Sequence, residues 1–191
     1  MLFEDCDISQ ILSAIQFSAD KHRDQRRKDR EASPYINHPI NVADILWRIG
    51  EVRDINVIVA AILHDTLEDT DTSENEIEEL FGKDVLSLVQ EVTDDKSLPK
   101  EVRKQLQIEH APHKSHGAKQ IKLADKTSNV RDIANSPPSD WTLQRRAEYL
   151  NWAANVVDGL RGANKGLEAW FDKILADAHE KLKSDAVDSA S

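Results

Sequence analysis

Apolar residues recur at helical spacing over most of this chain. Between Ile8 and His22 they return every three to four residues, which predicts a first helix with Asp7 as a candidate cap. The segment NVADILWRIG predicts a second helix, because Pro39 just before it suits a first helical turn. Gly50 at the end of that segment is expected to stop the helix in a left-handed conformation.

The most hydrophobic segment, VIVAAIL at 57–63, is apolar on every side. We therefore expect the helix that begins near Asp54 to lie buried in the middle of the domain, with His64 and Asp65 in its last turn. Capping residues, prolines and glycines mark the later boundaries, and helix starts or breaks are predicted near Thr72 or Ser73, Gly82, Pro99, Ala118, Ser139 or Asp140, Gly162 and Asn164.

Six glycines and six prolines are few for 191 residues, so the dense turns of a β-sandwich or barrel are missing. The predicted fold is all-α, a helical bundle of about eight to ten helices. Neither an internal repeat nor a linker interrupts the pattern. We expect a single domain over residues 1–183 and a disordered C-terminal tail over residues 184–191.

The chain carries 25 Lys and Arg residues against 35 Asp and Glu, a net charge of -10. This balance disfavours sequence-independent binding to nucleic acid or anionic membranes, which requires a surplus of basic residues. The longest apolar run is too short for a membrane helix, the N-terminal sequence MLFEDCD does not resemble a signal peptide, and one cysteine cannot form an internal disulfide. We expect a cytoplasmic protein, and a homo-oligomer is compatible with the sequence.

Candidate chemistry first appears in the string LHDTLEDTD. His64 and Glu68 are four residues apart, as are Asp65 and Asp69, so on a helix an imidazole and three carboxylates would gather at one end. Such a cluster suits a cation. Taken alone, the string is more often an acid-rich helix end with a solvated or hydrogen-bonded histidine than a metal site.

Two other positions favour a metal site. His38 directly precedes Pro39, which restricts the backbone and so fixes the direction of the imidazole. Asp125 lies among apolar residues of a predicted helix, where a buried carboxylate needs a partner. Together with His64 and Asp65 these residues offer two nitrogen and two oxygen ligands, a set that suits manganese, iron or zinc with positions left for water and substrate.

The order His, His-Asp, Asp resembles that of the HD-domain metal-dependent phosphohydrolases. A closer resemblance, to the hydrolase domain of RelA/SpoT proteins and above all to its stand-alone small alarmone hydrolases, extends in order from about Ala14 to Gly162. Its motifs are QRRKD, YINHP, AAILHDTLEDTD, EVTDDKSLP, HAPHKS, KLADKTSNVRDI and EYLNWAANVVDGLRG. The resemblance implies an all-α fold, one manganese ion, and hydrolysis of the 3′-diphosphate of guanosine tetra- or pentaphosphate (ppGpp or pppGpp), with release of pyrophosphate.

The resemblance also implies roles for individual residues. The metal ligands would be His38, His64, Asp65 and Asp125. Glu68 and Asp69 match the family's catalytic acid pair, and a carboxylate one turn beyond the ligands could take a proton from water; which of the two is the base stays open.

Substrate contacts are implied for a further group of residues. Arg27 and Lys28 match a nucleotide-contacting pair, and the basic segment around them supplies the positive charge that a substrate with two diphosphates needs. Asn129 would contact the substrate near the sugar. Tyr149, and similarly Tyr35, would line the nucleotide pocket, while Lys126 and Arg131 could add positive charge.

Three hypotheses follow, and the favoured one is a manganese-dependent (p)ppGpp 3′-pyrophosphohydrolase that only degrades the alarmone, because the chain is too short to hold a synthetase half. The second keeps the metal site and changes the substrate, for example to the 2′-phosphate of NADPH, an activity that resemblance to the animal members of this family implies. The third is a helical domain that binds metal or nucleotide without catalysis. Pyrophosphate as product distinguishes the first hypothesis from the second, which predicts orthophosphate.

Overall fold

A computed structural model of the chain describes residues 5–189, which form ten α-helices. They are α1 (Asp5–Lys21), α2 (Asn37–Arg48), α3 (Ile55–Leu63), α4 (Thr66–Asp69), α5 (Glu74–Phe81), α6 (Lys83–Val92), α7 (Lys100–His110), α8 (His116–Asn135), α9 (Leu143–Asp158) and α10 (Lys165–Ser189), with a short 3-10 helix at Ala111–His113. Within these residues the only β-type pairing is an isolated bridge between Arg26 and Pro34. The predicted all-α class is confirmed.

The apolar helix α3 lies at the centre of the fold. All of its residues from Val57 to Leu63 are buried, and it packs against α1, α2, α6 and α8. Its start is fixed by Asp54, whose carboxylate accepts a 2.9 Å hydrogen bond from the backbone N–H of Asn56. No helix within the described residues is both long and apolar enough to cross a membrane.

The connection from α2 to α3 differs from the prediction in one respect. The left-handed residue that ends α2 is Glu51, with φ of +50°, and Gly50 is not left-handed. Gly50 is required for a different reason: a Cβ atom there would lie 2.9 Å from the carbonyl oxygen of Leu46 and 3.0 Å from the side chain of Leu167. The glycine therefore permits close packing of α10 against the end of α2.

The sequence predicted that His64 and Asp65 lie in the last turn of the apolar helix, but the structure places them after its end. α3 ends at Leu63, and a new short helix begins at Thr66. The break is stabilised by the Thr66 hydroxyl, which donates a 2.7 Å hydrogen bond to the carbonyl oxygen of Leu63. His64 and Asp65 are thus held at a corner between two helices.

Other helix boundaries also differ from their predicted positions. Asp7 lies inside α1, which already includes Asp5. Ser139 and Asp140 do not cap α9, because they form a turn closed by a 3.0 Å hydrogen bond from the Trp141 N–H to the Pro138 carbonyl. Thr142 caps that helix instead. Ser73 does cap α5, in a capping box with Glu76.

The last helix continues to Ser189 and so includes most of the tail that was predicted over residues 184–191, of which residues 190 and 191 lie outside the described residues. Its C-terminal half docks onto α9, because Oδ2 of Asp185 lies 2.9 Å from Nη1 of the buried Arg146. Leu182, one turn earlier, is part of the hydrophobic core. Helix periodicity alone missed these contacts with a distant part of the chain.

Candidate active site

Four side chains from three parts of the chain converge beside α3. His38 comes from the first turn of α2, His64 and Asp65 from the corner after α3, and Asp125 from the middle of α8. Nε2 of His64 lies 3.1 Å from Oδ2 of Asp65. Nε2 of His38 lies 3.2 Å from Oδ1 of Asp125 and 3.8 Å from Oδ2 of Asp65. The structure thus brings together the four residues that the sequence singled out as ligands.

Both imidazole rings turn the same nitrogen toward this cluster. Nδ1 of His64 donates a 2.8 Å hydrogen bond to the carbonyl oxygen of Ala61, which leaves Nε2 facing inward. Nδ1 of His38 lies 3.4 Å from the hydroxyl of Ser128. Nε2 of His64 is buried and, within the described residues, faces Oδ2 of Asp65 at 3.1 Å and Oδ1 of Asp125 at 3.9 Å without a well-formed hydrogen bond. This arrangement suits metal ligation, in which the outer ring nitrogen is fixed by a second partner.

The charges in the cluster interact strongly because His38, His64 and Asp125 are buried and Asp65 is half-buried beside them. Burial lowers the pKa of His64, but the Asp65 and Asp125 carboxylates outweigh burial and raise that pKa overall. Burial also dominates at His38, where it lowers the pKa. The carboxylates have pKa values below their usual range, because the attraction of the facing groups exceeds the opposing effect of burial.

Both carboxylates are held by further side chains. Oδ1 of Asp125 accepts a 2.6 Å hydrogen bond from the amide of Asn129, and its Oδ2 accepts one of 2.9 Å from the ammonium of Lys126. Oδ2 of Asp65 accepts a 2.5 Å hydrogen bond from the Tyr35 hydroxyl. Three residues predicted to contact substrate therefore contact the cluster itself.

Glu68 and Asp69 are neighbours on α4 but line different cavities. Glu68 lines a cavity of about 880 Å³ between α7 and α9, whereas Asp69 lines one of about 570 Å³ beside the loop that precedes α2. Lys28, Trp141 and Tyr149 line both, so the two cavities adjoin. The sequence grouped the two acids as a pair, and the structure separates their surroundings.

The carboxylate of Glu68 is held by residues that sequence reasoning missed. Its Oε2 accepts a 3.2 Å hydrogen bond from the backbone N–H of Asp94, and its Oε1 lies 3.4 Å from Nη1 of Arg103 on α7. Burial raises the pKa of Glu68, and the nearby charges of Asp94 and Asp65 raise it further. A carboxylate with a raised pKa is suited to proton transfer near neutral pH.

Asp69 has a different set of partners. Its Oδ2 accepts a 3.1 Å hydrogen bond from the amide of Gln25, and its Oδ1 pairs with the ammonium of Lys96. Gln25 is itself fixed, because its Oε1 accepts a 2.6 Å hydrogen bond from Nδ1 of the buried His22. The motifs QRRKD and EVTDDKSLP contain Gln25 and Lys96 and were the only sequence signal for them.

The smaller cavity holds most of the predicted substrate residues. Arg27, Lys28, Tyr35, Asn129 and Tyr149 all line it. Nη2 of Arg27 donates to the side-chain oxygen Oδ1 of Asn129 at 3.0 Å and to Oδ2 of Asp132 at 2.6 Å, so the guanidinium is held by the wall of the cavity.

The larger cavity is rich in charge. Its basic residues are Lys28, Lys100, Arg103, Lys104 and Arg145, and its acidic residues are Glu68, Asp94, Glu101 and Glu148. Of these basic residues, sequence analysis had named Lys28 alone. Trp141 lines both cavities, and its ring centroid lies 5.6 Å from that of Tyr149.

Two predicted substrate residues lie elsewhere. Lys126 is 4% exposed and lines neither cavity. Arg131, further along α8, lines neither cavity either. Their position in the KLADKTSNVRDI motif had suggested added positive charge for substrate. Burial decides against direct contact for Lys126 in this structure.

Comparison with known proteins places this arrangement in a family. The model of the HD domain matches residues 14–151, which include all four clustered residues. The chain belongs to the HD-domain family. Within it the resemblance to stand-alone RelA/SpoT hydrolases is confirmed by two curated relatives, both named guanosine-3′,5′-bis(diphosphate) 3′-pyrophosphohydrolase MESH1. The Danio rerio protein is 53% identical over 90% of this HD-domain chain and 96% of its own length, and the Homo sapiens protein is 56% identical over 85% and 90%.

A solved structure supports the same assignment. It is the structure of a metazoan ortholog of SpoT that hydrolyses ppGpp and plays a role in starvation responses. That structure superposes with a TM-score of 0.87 at 49% sequence identity, and the match covers 92% of this HD-domain chain and 97% of the other. The HD domain implies a divalent metal, in agreement with the cluster of His38, His64 and Asp65 that the structure forms.

Proposed function

We propose that this chain is a manganese-dependent (p)ppGpp 3′-pyrophosphohydrolase. The observation that carries the proposal is the convergence of two inward-facing imidazole nitrogens and two carboxylates beside two cavities that contain basic residues. The curated relatives are named for this reaction and are matched over nearly their full length.

The chemistry of the donor set fits a divalent ion. Nε2 of His38 and Nε2 of His64 face the carboxylates of Asp65 and Asp125, and the buried Nε2 of His64 lacks a well-formed hydrogen bond within the described residues, so a shared cation suits all four groups. His38, His64, Asp65 and Asp125 would hold it. A mixed nitrogen and oxygen set is compatible with manganese, which is our assignment. When bound, the ion would favour deprotonation of water and neutralise charge on phosphoryl oxygens.

The residues of the chain would complete the reaction. Water attacks the phosphorus attached to O3′ of the ribose, the P–O3′ bond breaks, and O3′ gains a proton as pyrophosphate leaves. We assign Glu68 as the general base, because burial raises its pKa and Arg103 and the Asp94 N–H orient its carboxylate. Asp69, on the side of the smaller cavity, would orient the water or the substrate.

Recognition would use the charged and aromatic residues around the two cavities. Arg27 and Lys28 would bind phosphate oxygens, and Lys100, Lys104 and Arg145 would extend the positive surface into the larger cavity. Trp141 and Tyr149, which line both cavities, offer flat surfaces against which a purine can stack.

The test is to incubate purified, metal-stripped protein with ppGpp and, separately, with NADPH, each with and without manganese. The proposal predicts pyrophosphate from ppGpp only when manganese is present, and loss of that release in Asp65→Ala. Arg161→Ala is a matched control, because Arg161 pairs with Asp158 and Asp172 on an exposed surface. Orthophosphate from NADPH with ppGpp untouched would replace the substrate and keep the metal site.

A non-catalytic domain makes the opposite prediction. If Glu68→Gln combined with Asp69→Asn still turned over ppGpp at the normal rate, the assigned chemistry would be wrong. If no substrate were hydrolysed while manganese bound, the chain would be a metal-binding or nucleotide-binding domain instead.

A further inference from the structure

Lys126 is a buried cation that the proposed reaction does not use. It follows Asp125 directly on α8 and is 4% exposed. Its ammonium donates a 2.9 Å hydrogen bond to Oδ2 of Asp125, and it lies 4.8 Å from the centroid of the Trp152 ring. An ammonium in such a place costs desolvation free energy, which its partners must offset.

The two oxygens of Asp125 have separate partners. Oδ1 accepts from Asn129 and lies 3.2 Å from Nε2 of His38 and 3.9 Å from Nε2 of His64. Oδ2 contacts Lys126 on the other side. The contact with Lys126 restricts rotation of the Asp125 carboxylate. Without it, only Asn129 would hold the group, and the Asn129 amide could move together with Oδ1 as the carboxylate rotates.

The aromatic neighbour of Lys126 is fixed as well. The indole N–H of Trp152 donates a 3.0 Å hydrogen bond to the carbonyl oxygen of Lys104 on α7. The Trp152 ring also packs 5.3 Å from the Tyr149 ring. Lys126 is therefore confined between a carboxylate and an anchored indole, which is the environment of a positioning group.

We propose that Lys126 is a positioning residue that orients Asp125 for metal binding and does not contact substrate. The proposal rests on the metal site assigned above. A partner that fixes a metal ligand without touching the metal commonly changes metal affinity by about 10- to 100-fold. Removal of the ammonium should therefore weaken manganese binding, even though the loss of a nearby positive charge favours a cation electrostatically.

The test is titration of the metal-stripped full chain with Mn²⁺. Binding is measured by calorimetry and by the electron paramagnetic resonance signal of free Mn²⁺. We expect Lys126→Met to weaken binding about tenfold or more and Lys126→Arg to restore part of the affinity. Lys122→Met is the matched control: Lys122 is 6% exposed, lies one turn earlier on α8, and makes no hydrogen bond or ion pair within residues 5–189.

The possible outcomes are distinct. The inference is overturned if Lys126→Met binds manganese as tightly as the unmodified chain. It is also overturned if Lys126→Met and Lys122→Met both bind manganese more tightly and by the same factor, because Lys126 then acts at most through its charge. If the unmodified chain binds no manganese, the proposed metal site fails and the inference with it. Should Lys126→Met not fold, Trp152→Leu keeps the charge and removes its anchor; a several-fold loss of affinity supports positioning, and unchanged affinity contradicts it.

Discussion

The hydroxyl of Tyr35 donates a 2.5 Å hydrogen bond to Oδ2 of Asp65, across 30 residues of sequence. The same ring stacks on the imidazole of the buried His22 at 4.7 Å. Burial and the Asp65 charge both raise the pKa of Tyr35, so the hydroxyl stays protonated and remains a donor. Tyr35 thus holds the Asp65 carboxylate in place, and it also lines the smaller cavity.

Tyr35→Phe should therefore affect the metal more than the substrate. The variant retains the ring against His22 and loses one hydrogen bond to Asp65. We expect manganese affinity to fall about tenfold, with KM for ppGpp at saturating manganese changed little. Tyr149→Phe is the control, because the Tyr149 hydroxyl does not contact the cluster; its manganese affinity should be unchanged. A raised KM with normal metal affinity would show that the Tyr35 hydroxyl binds substrate instead.

A pH profile tests the role of Glu68. A general base must be deprotonated, so kcat falls as pH decreases through its pKa, which here lies above the ordinary value because of burial and the Asp94 and Asp65 charges. Glu68→Gln should reduce kcat about 10²- to 10⁴-fold and abolish this acidic limb. The measurement is kcat at saturating ppGpp and manganese across the stable pH range.

Asp94→Asn offers a finer test of the same assignment. The substitution removes a negative charge that raises the pKa of Glu68, while the backbone N–H of residue 94 still donates to Glu68. The acidic limb should move to lower pH. Asp95→Asn, at an exposed neighbouring position, should leave the limb in place. If the acidic limb of the pH profile stayed at the same pH in Asp94→Asn, the titrating group would be one other than Glu68.

Arg27 and Asp132 should have opposite effects on substrate binding. Arg27→Gln removes a guanidinium from the smaller cavity, and we expect KM for ppGpp to rise about tenfold, as for a lost charge-assisted hydrogen bond. Asp132→Asn removes the anion that lies 2.6 Å from Nη2 of Arg27 and competes for it. KM should then decrease, by about threefold. Steady-state kinetics of both variants at saturating manganese suffice. A raised KM in Asp132→Asn would mean that Asp132 orients Arg27 productively.

The sequence singled out the residues of this cluster because they carry local signals. His64 and Asp65 follow the apolar helix directly, and Asp125 lies among residues that must be buried. Arg103 was not predicted as a site residue, because 35 residues separate it from Glu68 and no sequence pattern indicates their contact. Lys126 was placed on the substrate because of its charge, whereas its burial against Asp125 depends on how α8 packs. The residue types that form the site could be recognised from the sequence, whereas the partners and the burial that arise from tertiary packing could not.

The end of α10 was also missed because it is held by contacts with a distant part of the chain. The contribution of one such contact to stability can be measured. Asp185→Ala removes the carboxylate that pairs with Arg146, whose side chain is 6% exposed and whose Nε and Nη2 have no hydrogen bond within the described residues. We expect a loss of about 2 kcal/mol in the free energy of unfolding, because a buried charge is left unpaired. Asp172→Ala, which breaks the exposed pair with Arg161, should cost under about 1 kcal/mol. Urea unfolding of both variants measures the difference, and equal losses would show that the end of α10 is not anchored by this pair.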